Sequence, residues 1–264
     1  MKESVRKEIE NIIEKKQLNC TVENFSKCCD MANLSYHKVL SEDFIREFKD
    51  KVNWSFISQK QKLTESFIEE HDNYVHWEQI SKFQKLSEDF IKNCFQYDIA
   101  YNLIKYQKLS NSFIIDKIDN ENIYFIKRYQ KLSPDTIKKY DLQISEHNWL
   151  YKDYTFKYDK VKECGLYEID GEYVIAYKGI LKDNYSKYNF QYQYLPGLTY
   201  ECHADHNNGE ENSFGLSAWT KDNALNYCKQ KLIKVKIHIN DIAALVHDSN
   251  KIRCTKFTVI NSVD

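Results

Sequence analysis

A short pattern recurs five times in the first half of the chain at an unvarying spacing of 23 residues. Leu40, Leu63, Leu86, Leu109 and Leu132 mark its start, and each is followed by a hydroxyl residue: Ser41, Thr64, Ser87, Ser110 and Ser133. Phe44, Phe67, Phe90, Phe113 and Thr136 come next in phase, then Ile45, Ile68, Ile91, Ile114 and Ile137. A fixed period of this size means units that bury a core only by packing on their neighbours. Such an array offers an extended surface more readily than a catalytic pocket.

Each unit reads as two short helices. Ser41 is placed to cap a helix with its side-chain oxygen. Glu42 and Asp43 follow in the first turn, where the helix dipole favours negative charge. Phe44, Ile45 and Phe48 give an apolar stripe at helical spacing. Pro134 directly follows Ser133, at the first helical position where proline is preferred. Asn53 and Trp54 open the second helix, with Trp77, Ala100 and Ile123 in the same slot. Three residues on, Ile57, Ile80, Leu103, Ile126 and Trp149 are in phase and are expected in the core. A degenerate copy begins at Leu18, with Val22 and Phe25 at its apolar positions.

The expected fold is mainly α: an N-terminal α-solenoid of helix pairs, then a small α+β domain with a mostly antiparallel sheet. Residues 1–35 read as a helical cap with the degenerate copy, 36–155 as five repeats and 160–264 as the α+β domain. Glycine marks the change: all six glycines lie at or after Gly165. Glycine is costly in helices and useful in turns. Tyr167–Tyr177 reads as two strands around an Asp170-Gly171 turn, and Leu195-Pro196-Gly197 as another turn. Phe214–Thr220 leads into a helix over 222–229. Ile233, Val235, Ile237 and Ile239 alternate with polar residues as a half-buried strand, and 256–260 reads as a last strand.

The repeat resembles the leucine–serine–glutamate–aspartate–phenylalanine–isoleucine repeats of giant DNA viruses and large phages, through Leu40–Ile45 and Leu86–Ile91. The second half is similar to a small uncharacterised phage and viral domain, through Tyr177-Lys178-Gly179, Gly197–Tyr200, Phe214–Ala218 and Lys251–Arg253. These resemblances imply a viral-type scaffold or adaptor, with a partner that is a protein, of the host or otherwise, and a location in the host cytoplasm or the virion.

Net charge is −1, which gives no global field for nucleic acid or an anionic membrane. No apolar run reaches the ~20 residues of a membrane span, and the first fourteen residues are too charged for a signal peptide. An intracellular chain is therefore expected, and in one the eight cysteines, which include no C-x-x-C pair, would stay reduced.

Three candidate sites remain. The linker lysines Lys62, Lys85, Lys108 and Lys131 would form a basic edge for phosphate or an acidic partner, against the plainer reading of a solvated edge. Cys202, His203, Asp205 and His206 supply zinc-type ligands, but their spacing fits a polar surface loop better than a metal site. Tyr177-Lys178-Gly179 with Ser217 and Thr220 looks like the opening and middle motifs of ADP-ribosyltransferases, which hold NAD in a split sheet. That resemblance implies a late catalytic glutamate to stabilise charge at the ribose, and no glutamate follows Glu211. The leading expectation is therefore a non-enzymatic protein-binding scaffold. A transferase-like domain is the first alternative, and nucleic-acid binding along the lysines is the second.

Overall fold

The computed structural model describes residues 1–94, 97–117 and 122–263, with 97 and 98 by backbone alone. Among the described residues, fourteen α-helices lie mostly ahead of an antiparallel sheet. The chain forms two compact units. One is Met1–Gln84 with Tyr188–Gln191, and the other is Lys85–Lys187 with Tyr192–Asp264. The division falls inside the repeat run.

In the first unit, α1 (Glu3–Lys16), α2 (Phe25–Cys28) and α3 (Met31–His37) precede two repeats, α4/α5 (Glu42–Glu47, Trp54–Lys60) and α6/α7 (Glu65–Glu70, Trp77–Phe83). Ser41 Oγ accepts from Phe44 N at 3.1 Å, and Thr64 Oγ1 from Phe67 N at 3.2 Å. Asn53 caps α5 through Phe56 N at 3.1 Å. Phe44, Ile45, Ile57, Phe67, Ile68 and Ile80 are all fully buried. Trp54 is only partly buried, lying near Phe67, His71 and Tyr74 with its indole N–H on Lys49 O.

The second helix of a pair, as in α3 and α5, ends without glycine because a later residue finishes it. A helix leaves its last carbonyls unpaired, and a left-handed glycine cap is the usual remedy. Here Lys38, Gln61 and Gln84 leave their helices in extended conformation. The side chain of Gln61 satisfies the preceding repeat instead. Its amide donates to Ser35 O (3.0 Å) and Lys38 O (2.8 Å), and its oxygen accepts from Leu40 N (2.9 Å). Gln84 does the same for Ser58 O, Gln61 O and Leu63 N. A second tie runs through serine: Ser35 Oγ accepts from Asn53 N, and Ser58 Oγ from His76 N. Phe190, from the late segment of this unit, donates its N–H to Lys60 O at 2.7 Å.

The second unit carries α8 (Glu88–Cys94) and α9 (Tyr97–Tyr106), α10 (Asn111–Lys117) and α11 (Ile123–Tyr129), then α12 (Pro134–Lys139). Ser87, Ser110 and Ser133 cap their helices. Gln130 repeats the tie through Ile104 O, Gln107 O and Leu109 N, and Gln107 accepts from Leu86 N. At the fifth position a tyrosine takes over: Tyr151 Oη accepts from Leu132 N and donates to Gln130 O, each at 3.2 Å.

The period also breaks there. Trp149, expected with Ile57 and Ile126 in the repeat core, lies in a 3-10 turn (Trp149–Tyr151) and is buried in the core of the sheet. Its N–H donates to His206 O at 2.8 Å. The last repeat therefore has no second α-helix, because its aromatic anchor serves the next domain.

Helix α13 (Tyr154–Cys164) follows, ended by Gly165 in left-handed conformation. The strands are β1 (Glu168–Asp170), β2 (Tyr173–Ile180), β3 (Thr199–Glu201), β4 (Leu216–Trp219), β5 (Lys231–His238), β6 (Ile242–Val246), β7 (Lys251–Cys254) and β8 (Lys256–Val263), with α14 (Lys221–Tyr227) before β5. Their order is β3-β8-β5-β2-β4-β7-β6, with β1 on β2, all antiparallel. The even-numbered residues of β2, Val174, Ala176 and Ile180, enter the main core. The odd face meets α14 so closely at Gly179 that a Cβ would lie 2.5 Å from Ala224 O.

Candidate functional site

The linker lysines Lys62, Lys85, Lys108 and Lys131 are all exposed, while the glutamine beside each is buried. In that dipeptide the structural work belongs to glutamine. Lys108 Nζ lies 3.8 Å from Glu201 on β3, and Arg128 pairs with Glu210 at 3.0 Å. Part of the positive charge in the second unit is thus spent on the sheet domain's own acids.

The outward face of α9 and α11 carries the feature that sequence reading missed. Tyr101 is 39% exposed, Tyr124 63% and Phe125 41%. The rings of Tyr101 and Phe125 meet edge to face, with centroids 4.5 Å apart. Lys105 Nζ lies 5.7 Å from the Tyr101 ring, and Lys127 Nζ 5.1 Å from the Tyr124 ring. An aromatic face adds to the energy of burying its area when a cation lies over it. The signal was present in the repeat phase. The two outward slots read Ser55-Phe56, Glu78-Gln79, Tyr101-Asn102 and Tyr124-Phe125. Successive units keep their core positions and change these, and the fourth, Tyr124-Phe125, is aromatic at both where the fifth reads His147-Asn148.

In the sheet domain, Tyr177 and Lys178 lie on β2 and Ser217 on β4, but they do not share a cleft. Alternation along a strand sends Tyr177 and Lys178 to opposite faces. The Lys178 amine is buried beside the rings of Tyr194 (5.3 Å) and Phe257 (5.9 Å), and it donates to the main-chain carbonyl of Ser217 at 2.7 Å. Desolvation lowers its pKa to about 8. Thr220 stands at the N-terminus of α14, where its hydroxyl accepts from Asn223 Nδ2 at 2.9 Å. A cleft of about 310 Å³ opens elsewhere on the domain, lined by Trp149, Lys160, Cys164, Asn208, Leu245 and Ser249 among others.

The Cys202–His206 segment, expected at the start of a surface loop, is instead packed inward. Ala204, Asp205 and His206 are buried, and Cys202 and His203 are partly so. Burial pushes the Cys202 thiol up to about 12, and the imidazoles of His203 and His206 down to about 4 and about 3. The charges of Lys157, Arg253 and Lys131 also act against a protonated His206, and the same field opposes a metal cation. Among the described residues, no three His, Cys, Asp or Glu side chains converge as a metal site.

What shapes this segment is Arg253, a residue given no role from sequence beyond its place in a short motif. It is fully buried on β7, and its guanidinium donates to the carbonyls of Asp205, Asn207, Glu210 and Glu211. Asp205 turns the same loop by accepting from Asn207 N and Ser213 Oγ. Gly215 lets the loop approach: its φ is +133°, and a Cβ there would lie 2.8 Å from Ala204 Cβ and 2.9 Å from Arg253 Cγ.

These features describe a helical-repeat segment joined to an antiparallel sheet whose polar centre is committed to holding its own loop. The helices among the described residues are too short or too polar to cross a membrane. The chain matches no family model, no curated protein and no solved structure.

Proposed function

We propose that the chain is a non-enzymatic, viral-type scaffold that works inside a host cell. Its repeats would stack as an α-solenoid and bind a protein partner through the aromatic face of α9 and α11. The observation that carries this reading is the exposed cluster of Tyr101, Tyr124 and Phe125. Exposed aromatic side chains on a repeat surface are dear to keep in water and rich in binding energy once covered. The glutamine ties support the reading, since they make a stiff backbone that loses little entropy on binding. The transferase-like alternative finds less support, because the Lys178 amine is occupied by the Ser217 carbonyl inside the core.

The test is photo-crosslinking from a benzophenone amino acid placed at position 124 of the full chain, in a nuclease-treated cell extract. A discrete protein adduct that disappears in a Tyr101→Ala/Phe125→Ala background is expected. Adducts that form equally well in that background, or from position 62, would reject the aromatic face as the binding surface.

A further inference from the structure

We infer that the segment docking on the α9/α11 face is acidic as well as apolar, an inference that rests on the scaffold reading above. Among the described side chains, the charge beside the three exposed rings comes from two lysines. Lys105 Nζ sits among the rings of Tyr101, Tyr106 and Tyr129, at 5.7, 5.0 and 5.7 Å. Lys127 lies over Tyr124 and donates one of its hydrogens to Gln143 O at 3.1 Å. Both lysines are partly exposed, and an ammonium has three donors, so each retains capacity for a carboxylate. Their neighbours Lys108 and Arg128 differ, being engaged by Glu201 and Glu210. The face therefore offers rings for aliphatic or aromatic side chains and two flanking cations for carboxylates. That combination selects a partner by complementary charge while apolar area supplies the affinity.

The geometry favours such a segment over single-stranded nucleic acid. Tyr101 and Phe125 are fixed edge to face at 73°, which makes a corrugated surface rather than parallel slabs for successive bases. Two cations beside the rings are also few for a backbone that carries a charge at every nucleotide.

A displayed random dodecapeptide library panned on the full chain, with counter-selection on Tyr101→Ala/Tyr124→Ala/Phe125→Ala, tests this. The selected pool should be enriched in Asp and Glu beside aromatic or aliphatic residues. A synthetic peptide from the pool should lose about tenfold in affinity for Lys105→Gln/Lys127→Gln, with that variant's circular dichroism unchanged. Patch-dependent peptides without acidic enrichment, or with equal affinity for the lysine variant, would overturn the acidic inference and leave the scaffold reading standing. A library yielding no patch-dependent peptide would overturn both. Displacement of the selected peptide by oligothymidylate at comparable affinity would overturn the inference in favour of nucleic acid.

Discussion

Replacing Gln61 with leucine should destabilise the first unit more than any change at the exposed Lys62 beside it. Gln61 is fully buried and closes three hydrogen bonds, to Leu40 N, Ser35 O and Lys38 O. Leucine has nearly the same volume, so no large cavity complicates the comparison. It leaves one amide and two carbonyls buried without a partner, at a cost of about 1–3 kcal/mol each. Added apolar burial returns about 1–2 kcal/mol. The balance is a loss centred on about 4–5 kcal/mol, which for a chain of this size lowers Tm by roughly 10–20 °C. Urea titration followed by circular dichroism measures it. Lys62→Gln should stay within about 0.5 kcal/mol of the parent. A Gln61→Leu protein as stable as the parent would refute the claim that this side chain completes the preceding helix.

Two further outcomes follow from the sheet domain. Arg253→Met should free the 205–211 loop and increase glutamate-specific proteolysis at the exposed Glu210 and Glu211, at a cost of about 3 kcal/mol in stability; an unchanged cleavage rate would show the loop is held by something else. The imidazole of His203 is neutral in the fold, with its pKa lowered by burial from 6.5 to about 4. The unfolded chain then binds the extra proton as the medium is acidified, so this contribution is fully present above about pH 6.5 and is lost as pH falls towards and through about 4. It amounts to about 2 kcal/mol after discounting for the ring's residual exposure. His203→Gln should flatten stability against pH in that window, and an identical slope in the two proteins would contradict the assignment.

Local chemistry made much of the fold legible. Ser41, Thr64, Ser87, Ser110 and Ser133 each cap a helix because capping depends on a side chain and an amide three residues away. The Asp170-Gly171 hairpin and the alternating β5 strand follow from equally short-range rules. The glutamine ties were not legible. Each spans 21 to 26 residues, and a polar residue beside an exposed lysine looks like a solvated linker. Strand β6 was missed because Ile242–Val246 is buried throughout and so carries no alternation. Trp149 kept the repeat phase and still left the repeat core, since tertiary packing against the sheet outweighed local pattern. Of the candidate sites, the linker lysines are exposed, as either reading of that edge requires. The inward packing of Cys202–His206 depends on Arg253, 47 residues beyond His206, a relation no local motif encodes. The aromatic face could have been found by comparing the variable slots of the repeat rather than its constant ones.

The most direct measurement of the central claim is hydrogen–deuterium exchange on the full chain, with and without the protein captured through position 124. Exchange should slow in α9 and α11, over 97–106 and 123–129, with β2, β4 and the 205–211 loop unchanged. Protection confined to the sheet domain, with α9 and α11 exchanging as in the free chain, would contradict that claim.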